Sequence, residues 1–315
     1  MNSRIVDIRQ FGARELDPLL LEETAEWERE LDWDFSKSAD LVRKFADSRG
    51  LGGVALLDRH EVAGYGYTVL EDHKGLIGDV YVRPAWRTPE SQPELFRILL
   101  DGLIATPGIR RVESQLMLLD TEAARAIQRD RFVRLFERLL MHLDNGPPLL
   151  PGRSSAVRRF HIEPWADHHH DAAATVISLA YNSHIDAQIN DQYQTFDGAR
   201  RFLNNIVQFP GCGAFFRPAS RIAFEIATGW AAGVLLSSFV SADVAHITQL
   251  CVTPHAKGSG LGYELLRQAV FSLRKSGARR ISLTVTSANS EAVALYRRCG
   301  FAEARRFYAY VWDLR

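Results

Sequence analysis

Two stretches of this chain match each other 170 residues apart, so whatever one half folds into, the other must accommodate as well. Val82-Arg83-Pro84-Ala85-Trp86-Arg87 lines up with Val252-Thr253-Pro254-His255-Ala256-Lys257, and Glu94-Leu95 falls on Glu264-Leu265 at the same spacing. Further on, Asp120-Thr121-Glu122-Ala123 runs against Asn289-Ser290-Glu291-Ala292, and Phe132 to Asp144 matches Phe301 to Asp313, both now 169 apart. A fixed internal period marks a tandem array of one structural unit. At 315 residues, the chain is long enough for two units that each bury a core. The run Asn145-Gly146-Pro147-Pro148-Leu149-Leu150-Pro151-Gly152 separates them, with the proline and glycine content of a linker. The expected division is residues 1–145, a linker at 146–156, and residues 157–315.

The halves part company at one turn. In the second, Lys257-Gly258-Ser259-Gly260-Leu261-Gly262 lies between an apolar strand pattern, Val244 to Val252, and an amphipathic helix pattern that continues through Val270. Glycines at alternate positions leave the backbone bare, so successive N–H groups can converge on an anion where the helix dipole favours one. Lys257 adds a cation at the mouth. In the first half the three glycines become Thr88, Glu90 and Gln92, with Pro89 beside them. A proline removes a donor, and a carboxylate takes the place the anion needs. The second half is expected to hold a phosphate, and the first to serve as structure.

The spacing fits neither the Gly-x-Gly-x-x-Gly dinucleotide fingerprint nor the P-loop. With lysine in place of arginine or glutamine, it resembles the Arg/Gln-x-x-Gly-x-Gly/Ala signature of the GNAT superfamily of acyl-CoA-dependent N-acyltransferases. Downstream, after Gly277 and a strand pattern at Arg280 to Thr286, Asn289-Ser290-Glu291-Ala292-Val293-Ala294-Leu295-Tyr296-Arg297-Arg298-Cys299-Gly300-Phe301 is similar to the family's Asn-x-x-Ala-x-x-Leu-Tyr-x-x-x-Gly-Phe motif. The resemblance implies an α/β fold of two tandem GNAT-like domains, each a mixed, mainly antiparallel twisted sheet flanked by helices. It implies acetyl-CoA as co-substrate, with the backbone of Leu250, Cys251 and Val252 pairing with pantetheine. Lys257, Gly258, Ser259, Gly260, Leu261 and Gly262 would receive the pyrophosphate, and Asn289 the pantetheine arm. A backbone N–H near Cys251 would stabilise the oxyanion.

Acyl transfer to an amine also needs a proton acceptor and a proton donor. The resemblance gives the donor role to Tyr296, a phenol whose reference pKa of ~10 lies near that of a thiol. His246 stands where some members carry a glutamate, and an imidazole of pKa ~6.5 could take the proton. Strict alternation would put His246, Thr248 and Leu250 on one face of the strand, with Ile247, Gln249 and Cys251 on the other. Gln249, and Asp186, Asn190, Asp191 and Tyr193 in a polar loop, are candidates for acceptor contacts. His168-His169-His170-Asp171 tempts as a metal site, but adjacent residues at a helix start point apart, so no metal is expected.

Composition narrows the partners. Acidic and basic residues balance at 38 each, without the positive field that nucleic acid or an anionic membrane would call for. No apolar run spans a bilayer, the first residues lack a signal-peptide core, and three cysteines without metal spacing suit reduced thiols. The expectation is a cytoplasmic N-acetyltransferase moving an acetyl group from acetyl-CoA to a primary amine, of a small molecule or a peptide, by direct attack in a ternary complex. The alternatives are a non-catalytic acyl-CoA-binding sensor or interaction module, and a protein N-terminal or lysine acetyltransferase.

Overall fold

The computed structural model describes residues 3–119, 121–131, 133–146, 152–208 and 210–314. Asp120, Phe132 and the Pro147 to Pro151 part of the expected linker lie outside them. The chain packs as two units, one of Met1–Arg138 with Arg306–Arg315, the other of Leu139–Arg305.

In chain order the first half gives β1 (Ser3–Asp7), α1 (Ala13–Leu31), α2 (Ser36–Asp47), β2 (Gly52–Asp58), β3 (Glu61–Glu71), β4 (Lys74–Val82), α3 (Ser91–Ile104), β5 (Arg111–Leu116), α4 (Thr121–Arg131) and β6 (Arg134–Leu143). Helix α1 buries Leu16, Leu19, Leu20 and Glu23, a stripe at helical spacing. Its start is tied by the Glu15 carboxylate, which accepts the Gly12 N–H at 2.8 Å. A two-residue turn joins β3 to β4, with Asp72 at φ +50°.

The second half supplies β7 (Phe160–Pro164), α5 (His170–Tyr181), α6 (Asp186–Ile189), α7 (Phe196–Gln208), β8 (Ala214–Phe215), β9 (Arg221–Glu225), β10 (Ala231–Phe239), β11 (Val244–Val252), α8 (Leu261–Lys275), β12 (Arg280–Thr286), α9 (Ser290–Arg298) and β13 (Ala302–Asp313). Helix α8 buries Leu261, Leu265, Leu266, Ala269, Val270 and Leu273 against the sheet. It stops at Gly277, φ +94°, where the Ala278 N–H returns to the Leu273 carbonyl at 3.0 Å. The loop expected between the first two helices of this half contains α6 and a 3₁₀ turn at Asp191–Gln194. Ahead of β7, Ser155–Arg158 is a 3₁₀ turn capped by the Ser154 hydroxyl.

Each unit repeats one sheet plan. In the first the strand order is β1-β2-β3-β4-β5-β13, antiparallel except for the parallel pair β4–β5. In the second it is β7-β9-β10-β11-β12-β6, with β8 on β10 and the parallel pair at β11–β12. The closing strands are exchanged relative to the sequence boundaries at 145 and 157. Leu139–Leu143 packs in the second unit and residues from Arg306 in the first, where β13 pairs with β5 from Tyr308↔Leu116 to Asp313↔Arg111. No helix among the described residues is long and apolar enough to cross a membrane.

Candidate active site

Strand β11 positions the site through a one-residue irregularity. Its ladder with β10 runs Leu235↔Leu250, Leu236↔Gln249, then jumps to Ser237↔Ile247, leaving Thr248 as a bulge. The bulge turns the faces over. Ala245 and Ile247 lie in the core beneath α8, and beyond the bulge Leu250 and Val252 pack against that same core. Cys251 belongs to the opposite core, under α5 and α7. His246 therefore shares a face with Gln249 and Cys251. The alternation expected from the sequence, with His246 beside Leu250, fails at Thr248 because a bulge shifts the period by one.

The parallel ladder between β11 and β12 ends at Ile247↔Leu283, although both strands continue. From Thr248 onward β11 diverges from its neighbour, which turns one edge of Leu250 to Val252 toward a cleft of about 360 Å³. The cleft is lined by Leu250, Cys251, Val252, Lys257, Gly258, Gly260, Leu261, Gly262, Asn289 and Tyr296, all singled out from the sequence, and also by Tyr181, His184, Tyr263 and Arg298. Ser259, Asp186, Asn190, Asp191, Tyr193, Gln249 and His246 are not among its lining residues.

The glycine loop has a physical reason at each step. Gly258 and Gly260 stand at φ +73° and +81°, a region L side chains avoid. A Cβ on Gly260 would also lie 2.3 Å from the Ser154 hydroxyl. Ser259 is spent on structure, its hydroxyl donating to the Ala256 carbonyl at 2.6 Å and accepting the Leu261 N–H at 3.3 Å. Gly262 and Tyr263 stand in the first turn of α8, whose amides have no acceptor within the helix. Beneath them Glu264 is wholly buried and held by Arg267, Gln268 and the Ser154 N–H. These contacts hold its carboxyl below the usual range against the upward pull of burial. An anion fits this place: bare backbone, helix start, and Lys257 and Arg298 at the rim.

On the opposite wall Asn289 caps α9, its side-chain oxygen accepting the Ala292 N–H at 3.3 Å. Tyr296 lies two turns on, its ring 5.9 Å from that of Phe301. Cys251 lines the cleft as a thiol, since burial pushes its pKa far above the usual value. Tyr181 and His184, ring to ring at 5.2 Å, close the far side. Sequence reasoning missed both; Asp186, two residues past His184, is the nearest residue it named.

The candidates outside the cleft have definite partners. His246 is buried, with Nδ1 2.8 Å from the Ser282 hydroxyl, which itself donates to the Ala245 carbonyl at 3.2 Å. With the Ser282 proton on Ala245, Ser282 accepts from Nδ1–H and the basic atom of the ring is Nε2; with it on Nδ1, the roles of the two ring nitrogens reverse. Asp186 accepts from the Thr286 hydroxyl. Asn190 accepts the Gln192 N–H at 3.0 Å, and Tyr193 stacks on Tyr181 at 4.5 Å. Of the histidine run, His169 bonds Glu163 at 2.9 Å and the Ala166 N–H at 3.0 Å, and no group able to hold a metal occurs among the described residues.

The same place in the first unit is closed. Its ladder β3–β4 carries a bulge at Gly78, the counterpart of Thr248, and β4 leaves β5 after Ile77↔Ser114. But Arg87, opposite Lys257 in the repeat, folds back to donate to the Val82 carbonyl at 2.9 and 3.1 Å and to Glu26 at 2.9 Å. Val80, Tyr81 and Val82 are all buried.

Residues 190–301 match the model of the Acetyltransferase (GNAT) family. Over 65 residues the chain is 35% identical to N-alpha-acetyltransferase MAK3 of Arabidopsis thaliana, covering 21% of this chain and 34% of the relative. Over 68 residues it is 38% identical to the [ribosomal protein bS18]-alanine N-acetyltransferase of Escherichia coli K12, covering 21% and 46%. The chain thus spans less than half the length of each. In fold it is similar over 99% of its length to a GCN5-related N-acetyltransferase from Sphaerobacter thermophilus, with TM-score 0.68, 17% identity and 95% of that chain covered. It is also similar to a tandem GNAT protein from the clavulanic acid biosynthesis pathway, with TM-score 0.61, 15% identity, and 99% and 98% coverage. At such identities the likeness speaks for the fold.

Proposed function

From a chain of tandem GNAT fold whose residues 190–301 belong to the GNAT acetyltransferase family, we propose an N-acetyltransferase that moves an acetyl group from acetyl-CoA to a primary amine. The second unit carries the reaction, and the first binds no CoA. What supports this most is one cleft that unites a diverging strand edge, a glycine loop at a helix start, Asn289 and Tyr296. Relatives whose names describe N-alpha-acetyltransfer, or transfer to an alanine of a ribosomal protein, support an amine acceptor.

Acetyl-CoA brings a thioester as acyl donor. The edge of Leu250 to Val252 holds the pantetheine arm, and Lys257 to Gly262 receive the pyrophosphate. Tyr296, in the cleft, is the proton donor to the departing sulfur. His246 is the proton acceptor; because it sits behind the cleft on the face of Gln249, its Nε2 works through intervening polar groups or water. Cys251 stays protonated and is a poor nucleophile, which favours direct attack by the amine over an acyl-cysteine route.

The test is release of free thiol from acetyl-CoA across a panel of amino acids, polyamines, amino sugars and peptides. At least one amine should accelerate release well above the rate without acceptor. A protein that acetyl-CoA stabilises against heat, yet that turns over with none of them, would instead be an acyl-CoA-binding module.

A further inference from the structure

His184 is a polar residue of the cleft to which the acetyl-transfer chemistry above gives no role. It lies between α5 and α6, half-buried, with Tyr181 packed edge-on to its ring. Its Nδ1 accepts the Asp186 backbone N–H at 3.2 Å. Its Nε2 stands 3.3 Å from the Asn289 side-chain nitrogen. At the other end of this row, the Asn289 oxygen accepts the Ala292 N–H.

The row does not balance. A backbone N–H stands at each end, and neither can turn into an acceptor. Between them, neutral imidazole offers one acceptor and one donor, and the amide faces the row with one of each. If both backbone donors are answered, the donor ends of His184 and Asn289 must point at each other. Reversing the tautomer strands the Asp186 N–H, and flipping the amide strands the Ala292 N–H. The Asp186 carboxylate does not relieve this, because its oxygen is 3.8 Å from Nδ1. What the row lacks is an acceptor, and both donor ends belong to residues that line the cleft.

We infer that His184 Nε2–H and the Asn289 amide form a two-pronged donor site for a carbonyl oxygen of the pantetheine arm, which makes His184 a positioning residue for the acyl donor. This rests on the acetyl-CoA reading and adds a contact to it. The backbone N–H of Asp186 fixes which ring nitrogen carries the proton, and the Tyr181 edge fixes where it points. A side chain distant in sequence from the glycine loop and the Asn289 helix would thereby read the middle of the ligand.

Titration calorimetry with two ligands tests it: CoA, and adenosine 3′,5′-bisphosphate, which lacks pantetheine. His184→Ala should raise the Kd for CoA by about three- to tenfold, the loss of one neutral hydrogen bond, and leave the bisphosphate Kd unchanged. His184→Gln, which can present an N–H near the position of Nε2, should restore most of the CoA affinity. Equal weakening of both ligands by His184→Ala, or an unchanged CoA Kd, would overturn the assignment. Wild-type protein that binds neither ligand would overturn the acetyl-CoA reading itself, and this contact with it.

Discussion

Gly262→Ala should make the protein more stable without ligand and less stable with it, a reversal that only a ligand-binding glycine produces. Gly262 is the second residue of α8 and has no positive φ. Alanine in place of a helical glycine is worth roughly 0.5–1 kcal/mol, and the nearest atoms to a new Cβ are those of Leu295 and Val252 at 4.0 Å. Nothing in the protein resists the methyl, so the ligand-free melting temperature should rise by about 1–4 °C. Leu295 and Val252 both line the cleft, however, so the methyl stands where the proposed acetyl-CoA would lie. If it weakens binding tenfold, then at a concentration 100 times the wild-type Kd the stabilisation by ligand drops from about 2.7 to about 1.4 kcal/mol. Gly258→Ala and Gly260→Ala give the contrast. The first meets no atom within 4 Å and costs only its left-handed conformation, about 1–2 kcal/mol. The second adds the collision with Ser154, which Ser154→Ala should partly relieve in the double variant. Thermal unfolding with and without acetyl-CoA reads all of these. If Gly262→Ala kept the full ligand-induced shift, the cradle assignment would be refuted.

Tyr296→Phe should lower kcat by about 10–100-fold with little change in acetyl-CoA affinity, as steady-state rates and calorimetry would show. His246→Gln should remove the acidic limb of the pH–rate profile; a limb that persists unchanged takes the histidine out of the mechanism. Glu23 and Asp79 in the first unit are buried, and burial pushes both carboxyls upward, Asp79 to about 6 and Glu23 well above its usual value. Unfolded, both lose their protons near pH 4, whereas folded Asp79 keeps its proton until about pH 6 and Glu23 holds its own past the usual range. Stability should therefore fall as pH rises from 4 to 7, and Glu23→Gln should flatten that slope in urea titrations. Residues 152–315 expressed alone lack the strand Leu139–Leu143 of their own sheet. Reduced solubility and a lower melting temperature are expected; full stability would mean that their own closing strand can fill the slot.

Much of this was legible because it repeats or because glycine leaves a mark. The tandem plan follows from the matched segments, β11 runs from Val244 to Val252 as its alternation implies, and the alternate glycines fall on left-handed or cleft-lining positions. What stayed hidden leaves no trace in composition or period. A bulge at Thr248 inserts one residue into a run where the polar His246, Thr248 and Gln249 mix with apolar neighbours, so the sequence still reads as an unbroken strand. His184 sits where the chain makes a turn, a four-residue helix and a 3₁₀ turn, all too short to carry a periodic signal. The exchange of closing strands is invisible for another reason. Phe132 to Asp144 and Phe301 to Asp313 are alike, and a pattern that fits either slot does not say which it occupies.

The two units show how a cleft is separated from the scaffold that makes room for it. Both keep the bulge, at Gly78 and at Thr248, and both end the parallel ladder four pairs in. Both also fasten the residue after the strand in the same way, Arg83 N–H to Ala63 and Thr253 N–H to Ala232. The strand edge that would face a ligand is thus available to each by backbone geometry alone. In the first unit a single side chain takes it. Arg87 answers the Val82 carbonyl twice, and the buried carboxylate of Glu26, which Tyr81 also bonds, keeps the guanidinium there. A lysine, with no planar fork, could not hold both partners in that geometry. Restoring glycines to the Thr88–Gln92 turn would therefore be insufficient to open the first unit while Arg87 and Glu26 remain, because the edge itself is already hydrogen-bonded from within.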